Sequence, residues 1–320
     1  MYLCTNKTSA KHIKYQKHLH MKKLALFLIL LMATIKLSAQ FEYLVRFPID
    51  KKQVLEPIEL KITYTLHYIF DTAKKEIVED IQALEIGKNH AKFYSVLRAK
   101  QDSIFTFPHL YGFSPTRSIP GTAGLKSNQR RLCDPVFWNY PERGSLFTIN
   151  YFFNTEYTYS ETVPRIVWQI EENMQTVLGY SAHKATARFR GRDWVVWFAP
   201  ELPTSLGPWK LSGLPGLIVK AETINNLDGG YFKYTMIGIE KPKPQQFIYT
   251  YDKPMKKITR QEFRRLRKRQ LEDPISVSLE HGGPTTEFVW RDGKPTEETR
   301  PVVPGTRRGF YRPMWWMELE

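Results

Sequence analysis

The sequence predicts an all-β to α+β protein, in which one large antiparallel sheet carries most of the chain and a single C-terminal helix packs against it. Side chains alternate between apolar and polar along many short segments, as they do in half-buried strands. Turn residues separate these segments at short intervals, which is typical of antiparallel neighbours. A well-marked helix start appears only late in the chain.

The longest alternation covers residues 58–68 and places its apolar side chains on one face. A hairpin is expected where Gly191 separates two alternating runs, and its arginines are interpreted as a solvated strand face rather than a nucleic-acid patch. The same pattern predicts strands at Gln82–Ile86, Ala91–Leu97, Leu146–Phe153, Thr155–Ser160, Ile166–Ile170, His183–Arg190, Trp194–Phe198, Gly216–Glu222, Tyr231–Ile239 and Phe247–Tyr251.

The helix is predicted from its N-terminal signal. Thr259 and Glu262 have the spacing of a capping box, and the helix should end near Asp273 because Pro274 follows. The helix is strongly basic and has a narrow apolar stripe. Either it lies on the sheet with its cationic face exposed to solvent, or that face contacts an anionic membrane surface. The residues available for that contact are Arg260, Arg264, Arg265 and Lys268.

The first residues of the chain predict export. From Met21, two lysines precede the apolar run Leu24–Ile35 and small residues follow, which is the pattern of a cleavable signal peptide over 21–39. That run is too short to span a bilayer. Residues 1–20 contain no acidic side chain and are interpreted as an over-extended gene start. The expected location is the periplasm or the periphery of the outer membrane.

The remaining residues, 40–320, are expected to form a single domain. Cleavage removes seven lysines and no acidic residue, which lowers the formal net charge from +15 to about +8. Cys133 is the one cysteine left, so a hydrophobic core must supply the stability. A proline-rich loop at 108–144 and a proline-rich tail at 282–313 interrupt the strand pattern. Nucleic acid is not an expected partner outside the cytoplasm.

The usual catalytic patterns are absent. The sequence contains no HExxH, GxSxG, GxxxxGK or GxGxxG, and the five histidines beyond residue 40 have no ligand spacing. No catalytic residue, metal or cofactor is therefore predicted. A site assembled from distant residues remains an alternative, because catalytic groups are adjacent only in space.

Three tryptophans fall close together, at Trp194, Trp197 and Trp209. Alternation predicts that the first two point to opposite faces of the sheet. Large aromatic side chains on a sheet either fill a core or line a pocket for an apolar ligand, and both interpretations stay open here.

The stretch that follows Trp209 contains residues that favour turns. Residues 214–217 have the pattern of a type II turn, with Pro215 second and Gly216 third. The segment is interpreted as a corner of the fold or as a rigid binding rim. The candidate rim residues are Trp194, Trp197, Trp209, Gly213, Pro215 and Gly216.

Gly213-Leu-Pro-Gly-Leu-Ile218 resembles the signature of the GLPGLI family of secreted bacterial envelope proteins. The resemblance implies a Gram-negative cell envelope, commonly near outer-membrane transport systems, and brings no established activity. The strand-rich layout is also similar to the LolA-like open half-barrel that carries lipoproteins. Further landmarks stand in the family's order: Trp168, Gly179-Tyr180, Lys184-Ala-Thr186, Phe189-Arg-Gly-Arg192, Trp197, Pro200-Glu-Leu-Pro203 and Gly207-Pro-Trp-Lys210.

Three functions follow as hypotheses. The first is a non-catalytic binding or accessory factor at the envelope, with an outer-membrane transport or envelope protein as partner. The second is a carrier of a lipid or other apolar ligand, which predicts an apolar pocket lined by the tryptophans. The third is a hydrolase, which predicts convergent polar groups with shifted pKa values in a cleft.

Overall fold

The computed structural model describes residues 52–71, 76–99, 134–152, 155–225, 230–251, 254–281, 286–291, 294–301 and 318. All of them lie in one compact unit, Ile49–Glu320. The predicted gene start and signal peptide, Cys133 and residues 108–133 of the proline-rich loop lie outside the described residues.

The first eight strands are β1 (Lys52–Pro57), β2 (Leu60–Asp71), β3 (Glu76–Ile86), β4 (Ala91–Ser95), β5 (Val136–Trp138), β6 (Ser145–Phe152), β7 (Thr155–Thr162) and β8 (Gln169–Val177). The next six are β9 (Tyr180–Phe189), β10 (Arg192–Ala199), β11 (Leu217–Ile224), β12 (Phe232–Glu240), β13 (Phe247–Tyr251) and β14 (Lys256–Lys257). Two helices and two strands follow: α1 (Arg260–Glu272), α2 (Pro274–Glu280), β15 (Thr286–Arg291) and β16 (Lys294–Pro301).

Twelve strands form one sheet in the order β14-β7-β6-β5-β4-β3-β2-β12-β11-β10-β9-β8. Neighbours are antiparallel except β14 and β7, which are parallel. The order begins and ends on different strands, so the sheet is open and does not close into a barrel. Smaller two-stranded sheets pair β1 with β13 and β15 with β16. The predicted β-dominated class with one large sheet is confirmed.

One face of the large sheet, here called the packed face, carries the main core. Tyr64 and Phe93 are completely buried on it, and the Tyr64 hydroxyl donates to the Ile218 carbonyl oxygen at 2.8 Å. Cross-strand pairing runs from Phe93 through β5 and β6 to Tyr159, and directly opposed residues share a face. Trp194, from the other half of the sheet, is buried in the same cluster. The core therefore spans both halves of the strand order.

The basic helix lies on the packed face, against β7. Thr259 caps α1, and the predicted capping box is formed with Glu262. Phe263 packs on Tyr157 and Tyr159, with ring centroids 6.2 and 6.0 Å apart. The predicted helix boundaries are confirmed, and the apolar stripe explains the docking.

A second helix, α2, was not predicted. Pro274 ends α1, but it also begins α2, because a proline in the first helical position needs no amide hydrogen. Val277 of this helix is completely buried beside Phe263. The proline is therefore a corner between two helices rather than the end of helical structure.

The opposite face of the sheet is covered by the β1–β13 ribbon. Lys92 pairs with Glu85 and Phe137 on this face. Its ammonium is buried, donates to the Tyr249 carbonyl oxygen at 3.0 Å and lies 3.7 Å from the centroid of the Tyr249 ring. Burial lowers the pKa of Lys92 to about 8, although the nearby Glu85 carboxylate opposes that shift. An aromatic surround and one carbonyl thus hold a lysine inside the protein.

Three strand predictions need correction. Residues 166–168 are not in a strand, and β8 begins at Gln169 and continues to Val177. Its residues are mostly polar and exposed, because it lies at the sheet edge, so the alternation signal is missing there. β5 forms inside the predicted loop 108–144, and β15 and β16 form inside the predicted tail 282–313. Pro295 and Pro301 of β16 fit a two-stranded sheet, in which every strand has a free edge.

The predicted hairpin between β9 and β10 is confirmed. Arg190 and Gly191 form its two-residue turn with φ of 53° and 77°, as a type I′ turn requires. The interpretation of its arginines as a solvated face is wrong for two of the three. Arg192 is 3 % exposed and Arg190 is ion-paired with Glu161, whereas the Arg188 side chain is exposed. The alternation pattern predicted the two strands, but it did not predict that other parts of the chain would bury Arg190 and Arg192.

Candidate functional site

The GLPGLI stretch belongs to a loop that is held at both ends. The Ile218 amide donates to the Leu206 carbonyl oxygen at 3.0 Å, and the Gly213 amide donates to that of Ser205 at 2.8 Å. Gly207 fits because a Cβ atom there would lie 2.7 Å from the Ile218 Cβ. The loop is therefore closed on itself before the chain enters β11.

The type II turn predicted at 214–217 does not form. The Leu217 amide donates to Leu202 at 3.0 Å instead of closing the turn, and Gly216 has φ of 159°, far from the value that a type II turn requires. The Gly216 amide donates to Leu214 at 2.9 Å, which is the three-residue hydrogen bond of a γ-turn.

Glycine is required at 216 for a steric reason. A Cβ atom at this position would lie 2.4 Å from the carbonyl oxygen of Ala199 and 2.8 Å from the Cα of Pro200. Both are backbone atoms, so a side chain cannot be accommodated by a rotamer change. The end of β10 and the start of β11 can approach this closely because residue 216 has no side chain.

Trp194 and Trp209 fill the core. They are 0 % and 6 % exposed, and their rings stack with centroids 6.0 Å apart. Trp197 is half-buried under the Lys220 ammonium, which lies 4.2 Å from its ring centroid. The apolar pocket lined by these tryptophans, which the carrier hypothesis predicts, is not found among the described residues. A packed core occupies that position.

A cleft of about 840 Å³ opens where β3, β4 and β5 meet the loop before β11. Gly213 and Pro215 line this cleft, whereas Trp194, Trp197, Trp209 and Gly216 do not. Its walls come from residues 86–91, 138–139, 163–168, 170, 204–206 and 212–215. The structure thus brings the GLPG segment to a concave surface formed by four separate parts of the chain.

The cleft has a partly apolar wall. Trp138 and Trp168 line it, and the Trp168 indole N–H is fixed by donating to the Ser212 carbonyl oxygen at 2.9 Å. Val167 and Ile170, also in the lining, are 82 % and 54 % exposed. Exposed aliphatic side chains beside a concave surface are typical of sites that bind apolar groups.

The charged part of the lining is cationic. Lys88 and Arg165 are exposed in the cleft, and neither forms an ion pair with a described residue. No aspartate or glutamate is found among the described lining residues. Glu56 reaches the same loop from β1 and accepts hydrogen bonds from the Asn89 and His90 amides. Burial acts to raise the pKa of Glu56, but these hydrogen bonds outweigh it and hold that pKa below its ordinary value.

Two buried polar atoms belong to lining residues and have no hydrogen-bond partner within the described part of the chain. They are Nε1 of Trp138 and Nδ1 of His90, although the His90 atom lies 3.3 Å from Oε1 of Glu56 and only the Trp138 indole has no polar neighbour of this kind among the described residues. Trp138 is 3 % exposed, so water does not readily replace the missing acceptor. An unused buried donor costs free energy, which makes this indole the natural partner for an acceptor on a bound molecule.

The most strongly charged cluster is elsewhere. Lys210 is buried, and its ammonium donates to Glu161 at 2.7 Å, Glu318 at 2.6 Å and Tyr159 at 3.0 Å. Burial alone would lower the pKa of Lys210, but these partners outweigh burial and hold it above its ordinary value. The Arg260 guanidinium also donates to Glu318, at 2.8 Å.

Neither this network nor the Lys92–Glu85 pair lines the cleft. The signature expected of a hydrolase, convergent groups with shifted pKa values in a cleft, is therefore not found in the described residues. Within the same residues, His, Cys, Asp and Glu side chains do not gather in groups of three as a metal site requires.

The basic helix divides into an inner and an outer set. Arg260 is turned inward to Glu318 and Arg267 to Asp134, with 19 % and 12 % of their side chains exposed. Arg260 is thus not available for the predicted membrane contact. The exposed members are Arg264, Arg265 and Lys268, for which the contact stays a prediction. No helix in the described part of the chain is long and apolar enough to cross a bilayer.

Sequence reasoning did not single out Lys88, Trp138, Arg165 or Val167. Trp138 lies within the predicted loop 108–144, and the others lie in connections between strands, although the alternation pattern places Val167 in a predicted strand. Only the GLPGLI resemblance pointed to Trp168, which is one of the landmarks that stand in the family's order. The loops come together because the ends of strands distant in sequence are neighbours in the sheet.

Comparison with known proteins gives no family: neither a protein-family model nor a curated protein matches the chain. Among solved structures, PNGF-II is similar at 12 % identity and a TM-score of 0.41, over 65 % of this chain and 32 % of PNGF-II. An uncharacterized conserved protein from Thermus thermophilus is similar at 10 % identity and a TM-score of 0.31, over 70 % of this chain and 99 % of its own.

A LolA superfamily protein from Nitrosomonas europaea is similar at 6 % identity and a TM-score of 0.22, over 62 % of this chain and 89 % of its own. The chain spans about a third of the PNGF-II length. Likenesses at this level identify no function, so the function has to be argued from the cleft itself.

Proposed function

We propose that the protein is a non-catalytic binding protein of the cell envelope, which holds an apolar or amphipathic ligand in the cleft beside Gly213 and Pro215. The observation that carries this proposal is the cleft lining: Trp138, Trp168, Val167 and Ile170 supply apolar surface, and no carboxylate is found among the described lining residues. Its volume of about 840 Å³ lies within the range of small-molecule sites.

Membership of the GLPGLI group and export to the periplasm are part of the same proposal. They are supported by the quoted motif and by the signal-peptide pattern at 21–39. An accessory role beside an outer-membrane protein fits an exposed cleft better than an enclosed one, because a partner can reach a ligand held at the surface.

Binding of the neutral apolar dye N-phenyl-1-naphthylamine tests the proposal. We expect its fluorescence to rise on addition of the protein and to saturate at one dye per chain. Val167→Asp should weaken binding about tenfold or more, because a carboxylate then faces the apolar wall. Val54→Asp is the matched control, since Val54 is also exposed but lies outside the cleft. Absence of saturable binding, or equal effects of the two substitutions, would contradict the proposal.

The carrier hypothesis is a second candidate that uses the same cleft. The packed Trp194–Trp209 core argues against a ligand in the interior of the sheet, so a carried lipid would have to lie at the cleft. Native mass spectrometry of protein purified gently from its own envelope fraction separates the two roles. A reproducible added mass that leaves on denaturation, with no polypeptide partner, supports a carrier, whereas co-purification with a polypeptide supports an accessory factor.

A further inference from the structure

The cleft carries an unbalanced positive charge. Lys88 comes from the β3–β4 connection and Arg165 from the segment between β7 and β8, so the two cations reach the cleft from different parts of the fold. Neither has an ion-pair partner among the described residues. Cations that line a concave surface raise the local concentration of anions, and both side chains can form charge-assisted hydrogen bonds to a carboxylate or phosphate.

The carboxylate of Glu56 does not cancel this charge on the cleft surface. Glu56 is outside the lining, and it is turned to the backbone of the β3–β4 connection, where it accepts from the amides of Asn89 and His90 and from the Asn89 side chain. Its negative charge is thus stabilised by fixed donors in the loop. The carboxylate instead holds in place the loop from which Lys88 projects.

Trp138 supplies the second, independent observation. Its indole is almost completely buried in the cleft wall, and Nε1 has no acceptor among the described residues. Nε1 is itself buried, so a ligand oxygen would satisfy this donor after a small rotation of the ring toward the cleft, whereas an alkyl chain would leave it unpaired. The wall therefore favours a ligand with acceptor oxygens at one end and apolar surface at the other.

We propose that the ligand of this cleft is an anionic amphiphile, with its carboxylate or phosphate headgroup toward Lys88, Arg165 and the Trp138 indole and its alkyl chain along Val167, Ile170 and Trp168. This inference rests on the proposed binding function and narrows it to one class of ligand. The cations and the exposed aliphatic residues line a single cleft, so both ends of such a molecule are bound together.

Displacement of N-phenyl-1-naphthylamine from the full chain by three molecules with the same alkyl chain tests the inference. Decanol is neutral, decanoate carries a carboxylate and decyl phosphate carries a phosphate. We expect one or both anions to displace the dye at concentrations about five- to tenfold lower than decanol, an advantage that shrinks as salt is added. Displacement by decyl phosphate but not by decanoate points to a phosphate headgroup, and equal displacement by both points to any anion.

The double substitution Lys88→Gln/Arg165→Gln should remove the advantage of the anions over decanol, with each displacement compared against that variant's own affinity for the dye. Arg143→Gln/Lys241→Gln, which removes two exposed cations outside the cleft, is the charge-matched control and should keep the advantage. Trp138→Phe should reduce the advantage of the anions over decanol several-fold. Equal displacement by decanol and both anions would overturn the inference and leave the proposed function standing. Failure of the dye to bind at all would overturn the proposed function itself.

Discussion

The ammonium of Lys210 lies 2.6 Å from a carboxylate oxygen of Glu318. This contact joins the residue that follows Trp209 to the end of the described chain, across 108 positions. Glu161 of β7 and Arg260 of α1 belong to the same network. The loop that opens toward the cleft, the basic helix and Glu318 are thus tied together by buried charge.

Lys210→Met should destabilise the protein strongly. It removes one cation from a network that leaves Glu161 and Glu318 largely buried, and breaking a buried pair in this way costs about 3 kcal/mol or more. Urea unfolding followed by circular dichroism measures the free energy of unfolding. Lys241→Met, at an exposed position, is the control and should change it by less than about 0.5 kcal/mol. Equal losses in both variants would mean that the network contributes little.

Glu318 should make stability dependent on acid. Burial acts to raise its pKa, but Lys210 and Arg260 outweigh burial and hold the pKa below the ordinary value of 4.5. A carboxyl whose folded-state pKa is depressed stabilises the protein above its unfolded-state pKa, and that contribution is lost as the pH falls through the folded-state value.

The difference in unfolding free energy between the wild type and Glu318→Gln should therefore be constant at neutral pH and shrink below about pH 4.5. Urea titrations at several pH values provide the measurement. A difference that does not change with pH would show that the Glu318 carboxylate is not linked to folding.

Lys92 should make stability depend on pH in the alkaline range. Its pKa falls to about 8 in the folded protein, so between that value and its ordinary value of 10.5 the unfolded chain binds more protons than the native one. Stability then rises with pH in this window. Between about pH 8 and 9.5 the wild type should gain on the order of 1–2 kcal/mol relative to Lys92→Met. Parallel pH profiles of the two proteins would show that the ammonium is not buried.

Gly216→Ala should destabilise the junction of β10 and β11. The added methyl group would meet the Ala199 carbonyl at 2.4 Å, so the backbone must move, at a cost of about 1–3 kcal/mol. Gly238→Ala is the matched control, because a Cβ atom at Gly238 meets no other atom within 4 Å. Thermal unfolding of the two variants gives the comparison, and a Gly216→Ala protein as stable as the control would show that the two backbones can separate freely.

The exposed cations of α1 are expected to bind anionic membrane surfaces. Arg264→Gln/Arg265→Gln/Lys268→Gln should reduce sedimentation of the protein with vesicles that contain phosphatidylglycerol, by about 1 kcal/mol per charge near the surface. Arg260→Gln should instead lower stability, because Arg260 is bound to Glu318. Unchanged sedimentation of the triple variant would remove the membrane contact from consideration.

Most helices and strands of this protein could be predicted from short stretches of its sequence. Alternation predicted most strands of the sheet, and the capping box at Thr259 predicted α1 to within a residue. The signals failed at the edge strand β8, which is polar and exposed, so nothing in 171–177 marks it as a strand. They also failed at the interior strand β5, whose three residues are too few to show alternation. The GLPGLI resemblance drew attention to Gly213 and Pro215, which line the cleft, but also to Trp209, which does not.

The sequence by itself determined the β-rich class and helix α1, because each depends on short-range spacing. It did not determine the turn at Pro215, where Gly216 is required by the close approach of Ala199 and not by a type II turn. Tertiary structure alone decided which side chains meet. The cleft gathers Lys88, Trp138, Arg165 and Gly213 from four separate parts of the chain, and the buried network gathers Glu161, Lys210 and Glu318 from three. Such contacts depend on the order of strands in the sheet, for which local periodicity carries no information.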